Sequence, residues 1–331
     1  MKILVTGGAG FIGSHTVVEL VEAGHEPVIL DDFSNSEPTV LDGLTQILGQ
    51  AVTAYQHDCN DRAYLINLLR SEAIEGIIHF AASKAVGESV EKPLLYYRNN
   101  LSALVTLLEA MTETGVHNLV FSSSCTVYGQ PEKLPVTEQT PVQPATSPYG
   151  NTKQIGEEII RDTVTSKARL KALALRYFNP IGAHPSALIG ELPRGVPSNL
   201  VPFITQSAAG LRGPLAVFGT DYPTPDGTCV RDFIHVVDLA KAHVKALEVL
   251  ADRREESYYD VFNLGTGQGN SVLELINTFK EATGVDLQYT LAPRRSGDVT
   301  AVYADVTKAT EGLGWRAEKS LAESLADAWR W

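Results

Sequence analysis

Lys2-Ile3-Leu4-Val5-Thr6-Gly7-Gly8-Ala9-Gly10-Phe11-Ile12-Gly13 opens the chain with an apolar run, a glycine-rich turn and the start of a helical pattern. The glycines satisfy both Gly-x-Gly-x-x-Gly and Gly-x-x-Gly-x-x-Gly, directly after a predicted strand and directly before a predicted helix. Glycine there permits positive φ and close backbone approach, while the first turn of a helix offers amide N–H groups to a pyrophosphate. Asp31 ends the next apolar run, 18 residues past Gly13. A carboxylate at that place accepts hydrogen bonds from ribose hydroxyls and repels a 2′-phosphate, which favours NAD over NADP.

Working outward, short apolar runs alternate with longer helical patterns. Residues 2–6, 27–30, 51–56, 76–80, 118–122 and 170–176 are predicted strands, and 11–23, 61–71, 93–114 and 149–166 predicted helices, with Gly24 and Gly115 at helix ends. Such alternation implies right-handed crossovers and a doubly wound parallel sheet. The expected fold is α/β, a Rossmann-like sheet with a smaller C-terminal substrate-binding α/β lobe. The boundary is placed after Asn179: residues 1–179 form the NAD-binding part and 180–331 the second lobe. The stretch from 180 to 230 is rich in Pro and Gly and reads as loops over the carboxyl edge of the sheet. A helix at 236–250 and a strand at 261–264 suggest that the chain returns to the first lobe around 236–265.

Composition excludes several classes. The 331 residues carry 39 acidic against 27 basic side chains and contain no Lys/Arg-rich block, which disfavours nucleic acid or an anionic membrane as partner. Cys59, Cys125 and Cys229 are isolated and lack metal-ligand spacing, so neither a zinc site nor a disulfide framework is expected. The apolar start is too short for a signal or membrane segment, and a cytoplasmic location is expected.

The chemistry is concentrated in Tyr149-Gly-Asn-Thr-Lys153, downstream of Ser122-Ser123-Ser124. On a helix, Tyr149 and Lys153 share one face, and an ammonium there lowers a phenol from about 10 toward a value useful in a general base. A serine at the end of a parallel strand reaches the cofactor edge, where Ser124 hydrogen-bonds a substrate hydroxyl and relays its proton to Tyr149. Asp58, after the third strand, reads either as an acceptor for the adenine amino group or as a helix cap. Lys84 reads either as a phosphate ligand or as an ordinary surface lysine.

Taken together, Thr6-Gly-Gly-Ala-Gly-Phe-Ile-Gly-Ser14, Lys84-Ala-Val-Gly-Glu-Ser89, Tyr177-Phe-Asn-Pro180, Gly182-Ala-His-Pro-Ser186 and Arg231-Asp-Phe-Ile-His-Val236 resemble the UDP-glucose 4-epimerase (UDP-galactose 4-epimerase) family of extended short-chain dehydrogenase/reductases. The resemblance runs nearly end to end. It implies a bound NAD, a UDP-sugar substrate whose C4 is inverted through a 4-keto sugar, and a homodimer. Tyr149 would be the base, Lys153 would hold the nicotinamide ribose, and Ser124 would bind the reacting hydroxyl. The resemblance further implies cofactor contacts at Gly7, Gly10, Phe11, Ile12, Gly13, Asp31, Asp32, Asn35, Ser36, Asp58, Cys59, Phe80, Ala81, Ala82, Lys84, Asn99, Ser122, Tyr177 and Phe178, besides Ser124, Tyr149 and Lys153. UDP-sugar contacts would fall on Asn179, Ser198, Asn199, Leu200, Ala216, Val217, Phe218, Arg231, Phe233, Arg295, Asp298 and Val302, besides Ser124 and Tyr149. Guanidinium forks suit Arg231 and Arg295 to a diphosphate.

The chain departs from the family pattern at a few places. Cys125 stands where alanine is expected, Ala82 replaces a glycine, Ser83 a larger apolar residue, and Phe233 a frequent tyrosine. Cys125 reads as a small buried neighbour, since no adjacent base activates it. Two other readings stay open: a sugar-nucleotide dehydratase, which needs carboxyl groups just after the serine where Cys125 and Thr126 stand, and a non-catalytic NAD-sensing protein. Leu101, Leu104, Val105, Leu108 and Met111 form an apolar stripe at helical spacing that serves the sheet, a second subunit, or both. Val302 falls where the family carries tyrosine or a smaller residue at the sugar-pocket wall. Intermediate volume there implies room for some activity on UDP-N-acetylhexosamines.

Overall fold

Ile3 and Val5 point to one face of the first strand and Leu4 to the other, and all three are fully buried. That two-sided burial explains why the run is continuously apolar instead of alternating. The computed structural model, which describes residues 1–166, 168–295 and 298–331, places this strand, β1 (Lys2–Thr6), inside a parallel sheet. The other early strands are β2 (Glu26–Asp31), β3 (Thr53–Gln56), β4 (Gly76–His79), β5 (Asn118–Ser122) and β6 (Lys171–Tyr177). The late strand Tyr258–Leu264 completes seven, in the order Tyr258–Leu264, β6, β5, β4, β1, β2, β3, and every pairing is parallel. This is the doubly wound order, with the switch between β1 and β4.

Each face of the sheet is covered. Ile3, Val5, Ile29 and Ile78 pack with helix α1 (Phe11–Glu22) and the helix Val236–Asp252, while Leu4, Val28 and Ile77 pack with Leu65, Leu104 and Leu108. Burying one such aliphatic side chain contributes about 1.5–3 kcal/mol. A third core joins Ile181, Val201, Val217, Phe233, Leu275, Phe279 and Leu325, contributed by short strands and by the helices Leu200–Ala208, Val272–Thr283 and Leu321–Arg330. The last two helices begin with complete capping boxes, Ser271 with Glu274 and Ser320 with Glu323.

The predicted elements are present with ends shifted by a residue or a few, but two expectations need correction. The helix predicted over 93–114 is interrupted: Pro93–Tyr96 is followed by a π-helical turn at Tyr97–Leu101 and then by Ser102–Thr114. The stretch from 180 to 230 is also more than loops, because it contains the helix Leu200–Ala208 and the strand Leu215–Phe218, which pairs in parallel with Tyr289–Ala292.

Candidate active site

The carboxyl ends of β1, β2, β4 and β5 meet along one edge of the sheet. Gly7 leaves β1 with φ +69°, and a Cβ there would lie 2.8 Å from the backbone nitrogen of Ala81. A Cβ on Gly13 would run into the Gly7 carbonyl oxygen, so the helix can start this close to the turn only with glycine. Gly10 caps α1 without a side chain, and no acidic residue stands in its first turn. The open amides and the bare turn fit the pyrophosphate of a dinucleotide. Across the edge, Asp31 is held by the Ala9 amide at 3.0 Å, the Phe33 amide at 2.9 Å and the Ser36 hydroxyl at 2.9 Å. Burial holds its carboxyl above the usual carboxylate range, with these bonds offsetting part of the shift. Asp32 accepts from the Ser34 amide, and Asn35 is exposed beside it.

Asp58 accepts from the Asn60 amide and side chain, and it is Asp61 that caps the helix Arg62–Ser71 by accepting from the Tyr64 amide at 3.0 Å. The reading of Asp58 as the cap is therefore corrected. Cys59 is buried and its thiol is pushed up to about 12 by desolvation. The π-turn grips the loop after β4: Asn99 donates to the Ser83 hydroxyl at 3.0 Å, and Asn100 accepts from the Ser83 amide and donates to its carbonyl and to Thr152. That grip holds the loop whose Phe80 and Ala81 lie against Gly7. π-Turns gather at functional sites, and nothing in residues 97–101 marks this one in the sequence. Lys84 is exposed and pairs with Glu191 at 3.3 Å.

Ser147 caps the helix Pro148–Thr165, accepting from the Gly150 amide at 3.1 Å. Gly156 lets this helix lie close on Phe121 of β5, since a Cβ would stand 2.9 Å from the ring. Tyr149 and Lys153 consequently face the serines at the end of β5. The Lys153 ammonium donates to the Ser122 carbonyl at 2.7 Å and lies 5.8 Å from the centre of the Tyr149 ring. Ser124 stands beside the Tyr149 phenol and pulls its pKa down, while its own hydroxyl accepts from the Thr126 amide at 3.2 Å, and Ser122 shares a 2.6 Å bond with Tyr177.

The expected lowering of the tyrosine is corrected here. Burial pushes Tyr149 well above its ordinary value and the neighbouring Tyr177 adds to this, with Ser124 pulling the other way. The same desolvation brings Lys153 down to about 8, opposed by the Glu157 carboxylate. Cys125 is also pushed up to about 12 by burial, which keeps it a neutral thiol.

Beneath this group runs a buried network that was not read from the sequence. Glu157 continues the face of Tyr149 and Lys153, accepts from the Ser123 hydroxyl at 2.5 Å, and receives a bidentate Arg176 at 2.8 and 2.5 Å. Arg176 also donates to Tyr128 at 3.0 Å, which donates to Asn263 at 2.7 Å. The available signals were the four-residue step from Lys153 to Glu157 and an arginine inside an apolar strand.

The residues expected to meet the sugar nucleotide form a second group. Arg295 pairs with Asp298 at 3.1 Å, Arg231 lies 3.9 Å from the same carboxylate, and Arg295 stacks over the Phe218 ring at 4.9 Å. Asn199 stands at the N-terminus of the helix Leu200–Ala208 with its side chain turned away to donate to Glu191 at 2.7 Å, and Ser198 is exposed just before it. Asn179 pairs with Phe233 in a short parallel ladder. Alternation along Leu215–Phe218 sends Ala216 and Phe218 outward but Val217 into the third core, where Phe233 also packs. Val217 and Phe233, both expected to meet the UDP-sugar, thus have side chains packed in the third core, so a contact from them falls to their backbone or to a small exposed edge. Val302 is buried beside Phe178, near Cys125. The Tyr303 ring lies against Gly269.

The family model of GDP-mannose 4,6 dehydratase matches residues 4–328. The UDP-glucose 4-epimerase of Bacillus subtilis is 51% identical over 331 residues, covering 100% of this chain and 96% of that protein. The UDP-glucose-4-epimerase from Stenotrophomonas maltophila with bound NAD and formylated UDP-arabinopyranose superposes with a TM-score of 0.97 at 49% identity, covering 100% and 97% of the two chains. The Bifidobacterium longum UDP-glucose 4-epimerase in complex with NAD+ and UDP gives 0.94 at 46% identity, covering 100% and 98%.

Proposed function

The chain belongs to the UDP-glucose 4-epimerase family of extended short-chain dehydrogenase/reductases, and from that premise we propose that it is an NAD-dependent epimerase inverting C4 of UDP-glucose and UDP-galactose. The observation that carries the reading is the meeting of Ser124, Tyr149 and Lys153 at the sheet edge that also holds the open glycine turn and Asp31. When bound, NAD supplies the acceptor and later the donor of the C4 hydrogen. As the phenolate, Tyr149 would take the C4 hydroxyl proton while Ser124 orients that hydroxyl, and the resulting phenol would give the proton back to the C4 oxygen once hydrogen has returned to the opposite face of the keto sugar. Lys153, tied to the Ser122 carbonyl, keeps a positive charge beside the phenol. Arg231 and Arg295 hold the diphosphate with forked bonds, which leaves the 4-keto sugar free to turn over. Residues 1–179 with the returning segment 236–265 serve the cofactor, and the remainder serves the UDP-sugar.

A dehydratase would need a carboxyl group beside Ser124, and the neutral Cys125 and Thr126 supply none. An NAD sensor has no use for a proton-transfer set. Incubation with UDP-galactose and no added cofactor separates the three: UDP-glucose is expected. A 4-keto-6-deoxy product would instead mark a dehydratase, and no product a sensor.

Substrate range is set at Val302. Its side chain leaves more room than tyrosine, so we expect measurable epimerisation of UDP-N-acetylglucosamine and UDP-N-acetylgalactosamine. Val302→Tyr should selectively lower kcat/KM for the N-acetyl pair, and one missing contact volume of this kind is worth about 10- to 200-fold. Equal losses on both substrate pairs would remove Val302 from the pocket wall.

We also propose a homodimer and a cytoplasmic location. Leu104, Leu108 and Met111 of the predicted stripe are spent on the sheet, but Val86, Val90, Leu94, Leu95 and Val105 remain exposed on neighbouring helices. Such a patch on one side of the molecule suits a second copy. Sedimentation at micromolar concentration should give a dimer, and Leu94→Glu, at a side chain 79% exposed, should shift it toward monomer. A wild-type monomer would refute the interface. For location, the cysteines are free and no helix among the described residues is long and apolar enough to cross a membrane.

A further inference from the structure

The adenosine end of the cofactor edge is bounded by the loop after β2, and one side chain from the far lobe grips that loop. Arg194 donates from Nε to the Glu37 carboxylate at 3.0 Å, from one terminal nitrogen to the Ser34 carbonyl at 2.8 Å, and from the other to the Ser36 carbonyl at 2.9 Å. From the opposite side Asp31 holds the same loop through the Phe33 amide and the Ser36 hydroxyl, with Phe33 at φ +57°. The segment bearing Arg194 is itself anchored. Ile189 is buried in the first core with Leu44, the Trp331 ring covers Gly190, and Arg330 donates to the Pro185 carbonyl at 3.2 Å. Glu191 on the same segment takes Lys84 of the cofactor lobe and Asn199 of the other lobe. A tethered segment thus crosses the cofactor edge and fastens it at two places.

We propose that Arg194 is a positioning residue for cofactor retention: it latches the ribose-binding loop shut, so that NAD stays in place through a cycle in which release midway would strand the enzyme. The proposal rests on the NAD-dependent reading above. An exposed ion pair with Glu37 is by itself a weak fastening. The latch lies in the fork, because only a planar guanidinium reaches one carboxylate and two backbone carbonyls at once. Lysine at this position would make one of these bonds.

The test is exchange of bound NAD in purified holoenzyme against excess isotopically labelled NAD, followed by mass spectrometry. Arg194→Ala and Arg194→Lys should each exchange about tenfold faster than wild type, equivalent to about 1.4 kcal/mol. Glu37→Gln should change the rate by no more than about twofold, since it spares the carbonyl bonds and the ion pair contributes little. Arg194 is half-exposed, so these variants should fold. Exchange in both Arg194 variants at the wild-type rate would overturn the latch while leaving the epimerase reading intact. Equal acceleration by Glu37→Gln would overturn the argument from the fork. Wild-type protein that carries no NAD would overturn both the latch and the reading it rests on.

Discussion

Tyr149→Phe should retain its fold and bound NAD and lose about 10²- to 10⁴-fold in kcat, the usual effect of deleting a proton-transfer group. The phenol oxygen is the only atom removed, and the ring keeps its place against Lys153 and the buried face of the helix Pro148–Thr165. The local field makes the hydroxyl a reluctant acid: burial pushes it up, and Tyr177 adds to that. In the proposed reaction, proton removal therefore draws on Ser124 beside the phenol and on the Lys153 ammonium 5.8 Å from the ring centre. A variant within a few-fold of wild type would exclude Tyr149 as the base.

Arg176→Met should destabilise the holoenzyme by about 3–5 kcal/mol, because it strands a buried carboxylate. Glu157 and Arg176 are each 7% exposed at the side chain, and the pair is bidentate. Tyr128 would lose a donor, and the Ser123 hydroxyl would face an unpaired charge. Replacing both partners, Glu157→Leu with Arg176→Met, should recover much of the loss, since apolar packing often substitutes for a buried pair. Urea unfolding of the two variants measures this. Equal instability of the single and double variants would show that the pair's hydrogen bonds, and not the stranded charge, set the cost. The network also joins the end of β5 to the helix of Tyr149, so the single variant should lose activity through misplacement of Ser124.

Much of this was legible because the relevant signals are local. The glycine turn, the alternation of apolar runs with helical patterns, and Asp31 at the second strand end all lie within short windows, and sheet order follows from handedness rules. What escaped the sequence depends on tertiary placement. The π-turn at Tyr97–Leu101 carries no distinctive residue. The inward turn of Val217 and Phe233 hangs on one-residue registers in strands of three or four residues, where a shift of one exchanges core and surface. The direction of the Tyr149 shift was missed because the Tyr–Lys spacing reveals a nearby charge but not the degree of desolvation. Arg194 and the loop it holds are 157 residues apart at the Glu37 contact.

In the proposed reaction one hydrogen leaves C4 and the same one returns, at a site where Tyr149 would carry the proton. Epimerisation of UDP-galactose deuterated at C4, with no cofactor added, tests it most directly. UDP-glucose that keeps the deuterium at C4 is expected; product with that deuterium replaced by solvent hydrogen would rule the shuttle out.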